Sequence, residues 1–552
     1  MTLPEQTHTL PDAMIDQLRA AIGAEHVLTS APELERYSRC TIPWQSLCAA
    51  VVFPDNAEEV ARIVHIARQF KIPLWPFSGG INQGYGATLA PEHGALVMLL
   101  TRMNRILEVN EKLAYAVIEP GVTYLQFNTY LKEHGYKLWM DCTDGPTNGS
   151  VIGNALDRGI GETPYGDHFG NLCGLEVVLP TGERIRTGGA LQGLKTWHTH
   201  KWGIGPYMEG MFTQSNLGIV TQAGIWLMPE PEAYNSFVYE VHDERHVPQV
   251  FDAFLDLALK GVITAKMHMI NDFVTLTLLT QRSEEKVTQK GSLTKEDLAD
   301  LRRKYRIAEW SCAGGVYGTR AQVRIQRALL RKALGRYGKL IFLSDARVGY
   351  LKLLLSWARR WPWLRRASEA ILGTTLHVME AAPHVHGILQ GIPSHHFVKH
   401  AYYRYRGLRP ELDANPARDH VGLIWFAPIL PFTKEDVLPF LDACRERFVE
   451  QGFDFWIAQL LMNPRSIICL MSIIYDKEDA AEVERANQLY NDLITVMQTQ
   501  GYQQYRCGLG GWGRVFELSP ELLDLNNRFK AALDPDNILA PGRYGISGSR
   551  DA

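Results

Sequence analysis

The chain has 552 residues, 46% hydrophobic and 21% charged, with a formal net charge of −3. That balance accommodates two or three domains with real cores, excludes a disordered or fibrous chain, and gives no electrostatic footprint for nucleic acid. The opening residues MTLPEQTHTLPDAMIDQL carry no basic leader or apolar core, so a cytoplasmic protein is expected, and eight cysteines without C-x-x-C spacing argue for reduced thiols rather than a zinc ribbon or attached haem.

Residues 13–22 read as an opening helix. AAVVFPDNAEEVARIVHIARQFKIPLWPFSGG then reads strand, turn, helix, strand and glycine loop, with Asp55 or Asn56 as the helix cap and Val60, Ile63, Val64 and Ile66 at helical spacing. In the loop PLWPFSGGINQGYGAT, glycines 79, 80, 84 and 86 let backbone amides approach a ligand, and clustered N–H groups form an anion nest. The loop is neither a Walker A sequence nor a G-x-G-x-x-G opening a helix. On spacing alone a tight turn and a phosphate loop are equally good readings.

The segment from ALVMLLTRM to the helix-like YLQFNTYLKEHGY completes a first α+β block, and GSVIGNALDRGIGETPYGDHFGNLCGLEVVLPTGERIRTGG continues it through a turn at Thr181-Gly182. A proline cluster near residues 230–233 is the best boundary. Beyond it AKMHMI, FVTLTLL, HVGLIWFAPIL and SIICLMSIIYD read as strands between long helical stretches, the texture of a second α+β domain. Glycines return in the last 50 residues. The expected division is a domain of residues 1–232, an inserted one of 233–498, and a return of 499–552 to the first.

One stretch, GYLKLLLSWARRWPWLRRASEAIL at residues 349–372, mixes leucine and tryptophan with four arginines and a lysine. It reads either as two helices broken by Pro362 with arginine stems covering a core face, or as a basic surface element touching anionic lipid or another protein. His395 and His396 lack the further ligands a metal site needs, so no metal is expected.

Six ordered motifs carry a resemblance: the glycine loop, PGVTYLQFNTYL, GSVIGNALDRGIGETPYGDHF, GIGPYMEGMFTQSNLGIVT, Tyr505-Arg506 and DPDNILAPGRYG. Together they resemble the vanillyl-alcohol oxidase and p-cresol methylhydroxylase family of flavoproteins. The resemblance implies an α+β, two-domain FAD-binding fold with an inserted α+β cap. It implies that Ser78, Gly79, Gly80, Ile81, Asn82 and Gln83 hold the FAD pyrophosphate, with Gly153, Ile219, Val220 and Arg543 around the flavin or adenosine. It also implies a para-substituted phenol bound as phenolate by Tyr85, Tyr505 and Arg506, and an acid near flavin N5, matched to Asp167, with His168 the weaker candidate.

Departures refine these expectations. Leu423 stands where relatives carry a flavin-linked histidine, so non-covalent FAD is expected, with His420 and the tyrosines 402, 403 and 405 left as alternatives. Ile468 and Cys469 replace paired cap histidines, and Ile81 replaces a basic residue. The expected activity is oxidation or hydroxylation of para-substituted phenols through a quinone methide. Electrons are expected to pass to a separate cytochrome or copper protein in slight preference to oxygen. The alternatives are a peroxide-producing phenol oxidase and a membrane-surface flavoprotein acting on a non-phenolic alcohol. A homodimer is also expected.

Overall fold

The computed structural model describes residues 9–188, 193–241, 243–282, 285, 291–410 and 414–548. Its first helix, Asp12–Ile22, buries Met14, Leu18 and Ile22. The strand–helix–strand opening follows as Ala50–Val52, Ala57–Phe70 and Leu74–Phe77. Asn56, not Asp55, caps that helix by accepting the Glu59 N–H, and the stripe Val60, Ile63, Val64 and Ala67 is buried against the sheet. Ala50–Val52 and Leu74–Phe77 flank Leu96–Leu99 in parallel, in a four-stranded sheet. A second, antiparallel five-stranded sheet runs through Ile106–Asn110, Tyr115–Ile118, Ile219–Trp226, Leu172–Val178 and Arg184–Arg186.

The third sheet has nine strands and begins at Ala233–Val241. Helices Val247–Leu259, Arg320–Leu334, Lys434–Glu450 and Ala480–Thr499 share one core with it. Period-two alternation sorts its side chains. In the strand Ser466–Tyr475, Cys469 and Met471 pack toward the helices, while Ile468 and Leu470 turn to the opposite face with Leu423, Trp425, Trp456 and Leu460. That opposite face is the roof of the cavity described below.

FVTLTLL departs from its strand reading: Asp272–Leu279 is a helix. Asn271 accepts the Val274 N–H at its start, and Phe273, Val274 and Leu276 are buried in the cluster under the sheet. Tertiary burial outweighs the β preference of valine and threonine, which is a context effect more than a backbone one.

The C-terminal segment returns to the first sheet. Leu74 N–H donates to Ile538 C=O and Ala540 N–H to Leu74 C=O. A fully buried Lys530 fixes the turn, donating to Asp534 and to the carbonyls of Asn216 and Leu539. Asn216 in turn donates to the carbonyls of Ala540 and Ile546. All eight cysteines are free and buried.

Candidate active site

A deep cavity runs from the glycine loop to the underside of the nine-stranded sheet. Ser78, Gly79, Gly80, Ile81, Asn82, Gln83, Gly153, Ile219, Val220 and Arg543 line it toward the first domain, and Tyr85, Tyr505 and Arg506 line it with Ile160, Trp425, Leu460 and Leu470. Thirteen of the fifteen residues nominated for cofactor, phenol and acid thus share one cavity, and Asp167 and His168 do not.

Local chain chemistry explains the loop. Gly80 (φ 65°), Gly84 (φ 70°) and Gly86 (φ 121°) hold left-handed or related backbone that side chains disfavour. A Cβ on Gly84 would lie 2.4 Å from the Trp425 ring, and the Trp425 backbone N–H donates to the Gly84 carbonyl, so glycine there lets the cap strand close onto the loop. Among the described residues, the amides of Gly79, Gly80, Ile81, Asn82 and Gln83 donate no hydrogen bond to protein. Consecutive undonated amides beside glycines suit a pyrophosphate, and Arg543, whose Nε is buried without a hydrogen-bond partner among the described residues, adds positive charge to the same wall. The residues present therefore fit FAD.

At the other end, the Arg506 guanidinium carbon lies 4.4 Å from the centre of the Tyr85 ring and 5.5 Å from that of Tyr505. The backbone around Tyr505 is pinned: its N–H donates to the Ala427 C=O and its C=O accepts from Gln214. The Tyr85 hydroxyl and Arg506 Nε are buried without hydrogen-bond partners among the described residues. Burial pushes the Tyr85 hydroxyl well above its usual pKa and raises that of Tyr505, with the Arg506 charge opposing both, so the two phenols stay protonated donors. Burial works against the Arg506 cation, but the net shift of its pKa is upward, with the Asp157 carboxylate the neighbouring anion, so the guanidinium stays charged. Asp157 Oδ2 is 3.8 Å from Arg506, and Oδ1 accepts from the Tyr544 hydroxyl at 2.8 Å.

Asp167 lies outside the residues that line this cavity. The TPYGDH segment folds into a tight turn in which Gly161 N–H donates to the Gly166 C=O, and the Asp167 carboxylate accepts the Gly170 N–H at 2.8 Å, outside the cavity lining. His168 likewise lies off the lining, contacting Asn154 at 2.6 Å. The acids that do line the cavity are Asp144 and Asp157. Asp144, in the turn TDGPTNGS, was missed; its only sequence signal is a carboxylate in a Gly/Pro turn ahead of a helix cap. Behind it, Glu162 Oε2 lies 2.6 Å from His268 Nε2, and ligand-type atoms of Asp144, Glu162 and His268 fall within 4.8 Å of one another. Burial lifts Glu162 to about 7, with the His268 ring opposing.

None of the alternative flavin-linking residues reaches the lining. His420 (φ 64°) precedes the strand Gly422–Phe426, and Tyr402 donates its hydroxyl to Asp419. Tyr403 and Tyr405 are also outside it. The histidine on the lining is His400, between Trp425 and Trp456, with Nδ1 2.7 Å from the Phe397 C=O and Nε2 without a hydrogen-bond partner among the described residues. Burial keeps it neutral by lowering its pKa. His395 contacts Thr147 at 2.7 Å and His396 stacks on His384.

Residues 48–188 match the model of an FAD binding domain. The chain is 36% identical over 529 residues to 1'-carboxy-chondrochloren decarboxylase of Chondromyces crocatus, covering 95% of this chain and 96% of the relative. It is 28% identical to the 4-cresol dehydrogenase [hydroxylating] flavoprotein subunit of Pseudomonas putida, over 97% of this chain and 96% of that one. Its fold superposes with a TM-score of 0.87 on the 4-ethylphenol oxidase of Gulosibacter chungangensis in its isoeugenol complex, at 29% identity and with 100% of both chains covered.

Proposed function

We propose, from the premise that this chain belongs to the vanillyl-alcohol oxidase and p-cresol methylhydroxylase family of FAD-dependent oxidoreductases, that it oxidises para-substituted phenols at the benzylic or allylic carbon. FAD, when bound, supplies the hydride acceptor. The single observation that carries this reading is the cluster of Arg506 with Tyr85 and Tyr505 at one end of a cavity whose other end suits a pyrophosphate.

A phenol entering that cluster meets one permanent cation and two neutral donors. All three stabilise the phenolate over the phenol, lowering the substrate's pKa. The oxyanion pushes electron density to the para position, so the benzylic C–H bond breaks with both electrons leaving as hydride. A neutral quinone methide of the substrate remains. Water then adds at the benzylic carbon, Asp144 accepts its proton, and the ring regains its phenolate. Ile160, Leu460 and Leu470, with Trp425, offer the alkyl substituent an apolar wall.

The electrons pass to a separate cytochrome or copper protein in preference to oxygen, a reading supported by the loss of the linking histidine at Leu423. FAD is held without a covalent bond. The relative from Chondromyces crocatus is a decarboxylase, which favours a second reading: a side-chain carboxylate leaves as CO2 where water would otherwise add. Among the described residues, Arg506 and Arg543 are the only arginines or lysines lining the cavity, so no further cation awaits such a carboxylate and hydroxylation is the better-supported outcome. An anaerobic screen of the FAD-loaded protein against 4-alkylphenols, 4-hydroxybenzyl alcohols and 4-hydroxyphenyl carboxylic acids, read by flavin bleaching and CO2 release, tests both. Bleaching by none of these phenols removes the proposal.

A further inference from the structure

The helices Asp345–Arg360 and Pro362–Leu372 turn their aromatic residues outward. Trp357, Trp361 and Trp363 are 57%, 55% and 67% exposed, and Tyr350 and Ile371 are 75% and 82% exposed. On the first helix Tyr350, Leu353 and Trp357 fall at i, i+3 and i+7, one continuous stripe. A different face is already used: Leu355 and Ala358 pack with Leu376 and Met379 in a small core. On the first helix the exposed Trp357 is not core left uncovered by a neighbour, because that helix has its core on the other side.

Between the aromatics stand Lys352, Arg359, Arg360, Arg365 and Arg366, all exposed. Arg359 pairs with Glu380 and Arg365 with Glu369, whereas Arg360 and Arg366 form no ion pair among the described residues. This basic cluster sits on a chain of net charge −3, so it is a local feature rather than a general surplus. Pro362 opens the second helix, where its missing N–H goes unneeded, and Trp361 joins the two helices.

We propose that this helix pair docks the protein on the surface of an anionic lipid membrane. Indole rings place an apolar body and a polar N–H at the headgroup boundary, and arginine stems lie along acyl chains while their guanidinium groups meet lipid phosphates. No helix among the described residues is long and apolar enough to cross a membrane, so the contact is with the surface. A second copy of this chain is a poorer occupant, because a two-fold interface would set one arginine cluster against the other. Charge complementarity therefore selects anionic lipid.

The test is flotation of the FAD-loaded full chain with vesicles of phosphatidylcholine alone and of an equimolar phosphatidylcholine–phosphatidylglycerol mixture. The wild type floats with the anionic vesicles and not with the zwitterionic ones. A Trp357→Ser, Trp361→Ser, Trp363→Ser variant stays behind, while retaining its flavin spectrum and its activity on soluble phenols. Arg360→Ser and Arg366→Ser each weaken anionic binding about fivefold. The proposal is overturned if the wild type fails to float, if the tryptophan variant floats equally, or if that variant merely converts a non-floating dimer to a monomer.

Discussion

The Arg506 guanidinium lies 4.4 Å over the ring of Tyr85, joining the C-terminal return of the chain to the N-terminal glycine loop. The cap sheet assists, since the Trp425 N–H donates to the carbonyl of Gly84, directly before Tyr85. The two ends of the cavity are thereby held together by three segments far apart in sequence.

Tyr505→Phe removes one donor to the phenolate and leaves the ring packing intact. Flavin reduction by 4-ethylphenol should slow by about a hundredfold, while FAD content is unchanged. Stopped-flow absorbance at saturating phenol checks this.

The two acids separate cleanly. Asp144→Asn should impair hydroxylated product formation by about a hundred- to ten-thousandfold, the usual range for loss of a general base. Asp167→Asn should leave turnover near wild type and reduce stability by about 1–3 kcal/mol, the cost of weakening a charged acceptor to a backbone N–H. Product analysis by chromatography beside urea denaturation distinguishes them, and the reverse pattern would restore Asp167 to the site.

Lys530 is fully buried and satisfied by Asp534 and two carbonyls. Lys530→Met leaves the buried Asp534 carboxylate with the Ile538 and Leu539 amides but no counter-charge, and a loss of about 3–5 kcal/mol is expected. Because the same knot anchors the segment leading to Arg543, FAD should be released at lower denaturant than in wild type, measurable as recovery of free-flavin fluorescence.

Glu162 gives a pH signature. Its folded pKa of about 7 lies above the ordinary 4.5, because burial disfavours the anion. Burial also opposes the His268 charge, but the adjacent Glu162 carboxylate outweighs it and raises that pKa too. Asp141 and Asp144 face the pair and push Glu162 the same way. Glu162 binds more protons folded than unfolded, so its contribution is full below about 4.5 and is lost as pH rises through about 7, while the raised His268 contribution is full below about 6.5 and is lost above it. Glu162→Gln should flatten the fall in melting temperature across that window; an unchanged slope contradicts the assignment.

Denaturing the holoprotein with acid should leave the yellow colour in the supernatant. Colour retained in the pellet would identify a covalent flavin, and its loss in His400→Ala would then name the lining histidine, whose Nε2 lacks a partner among the described residues, as the attachment point.

Much of this was legible in sequence because glycines, prolines and ordered dipeptides report backbone requirements that persist whatever packs around them. The glycine loop is of this kind as a tight backbone turn, whereas its pyrophosphate reading and the Tyr505-Arg506 pair were legible only through the resemblance carried by the ordered motifs. Asp144 was not legible, because two turns, TDGPTNGS and TPYGDH, offer equally plausible carboxylates, and only the fold decides which faces the cavity. Asp272–Leu279 was misread for a related reason: β-branched residues describe a half-buried surface, and a capped helix buried under the sheet satisfies them as well. His400 sits in the 3-10 helix His395–Tyr402, and its packing against Trp425 and Trp456 is a tertiary contact that no local pattern announces.

The most direct test of phenolate recognition is anaerobic stopped-flow reduction by 4-ethylphenol and by its O-methyl ether. The ether keeps the alkyl group and the ring but cannot ionise. The phenol should bleach the flavin, the ether should not, and Arg506→Ala should abolish the difference by slowing the phenol while retaining FAD. Equal bleaching by phenol and ether would contradict the account.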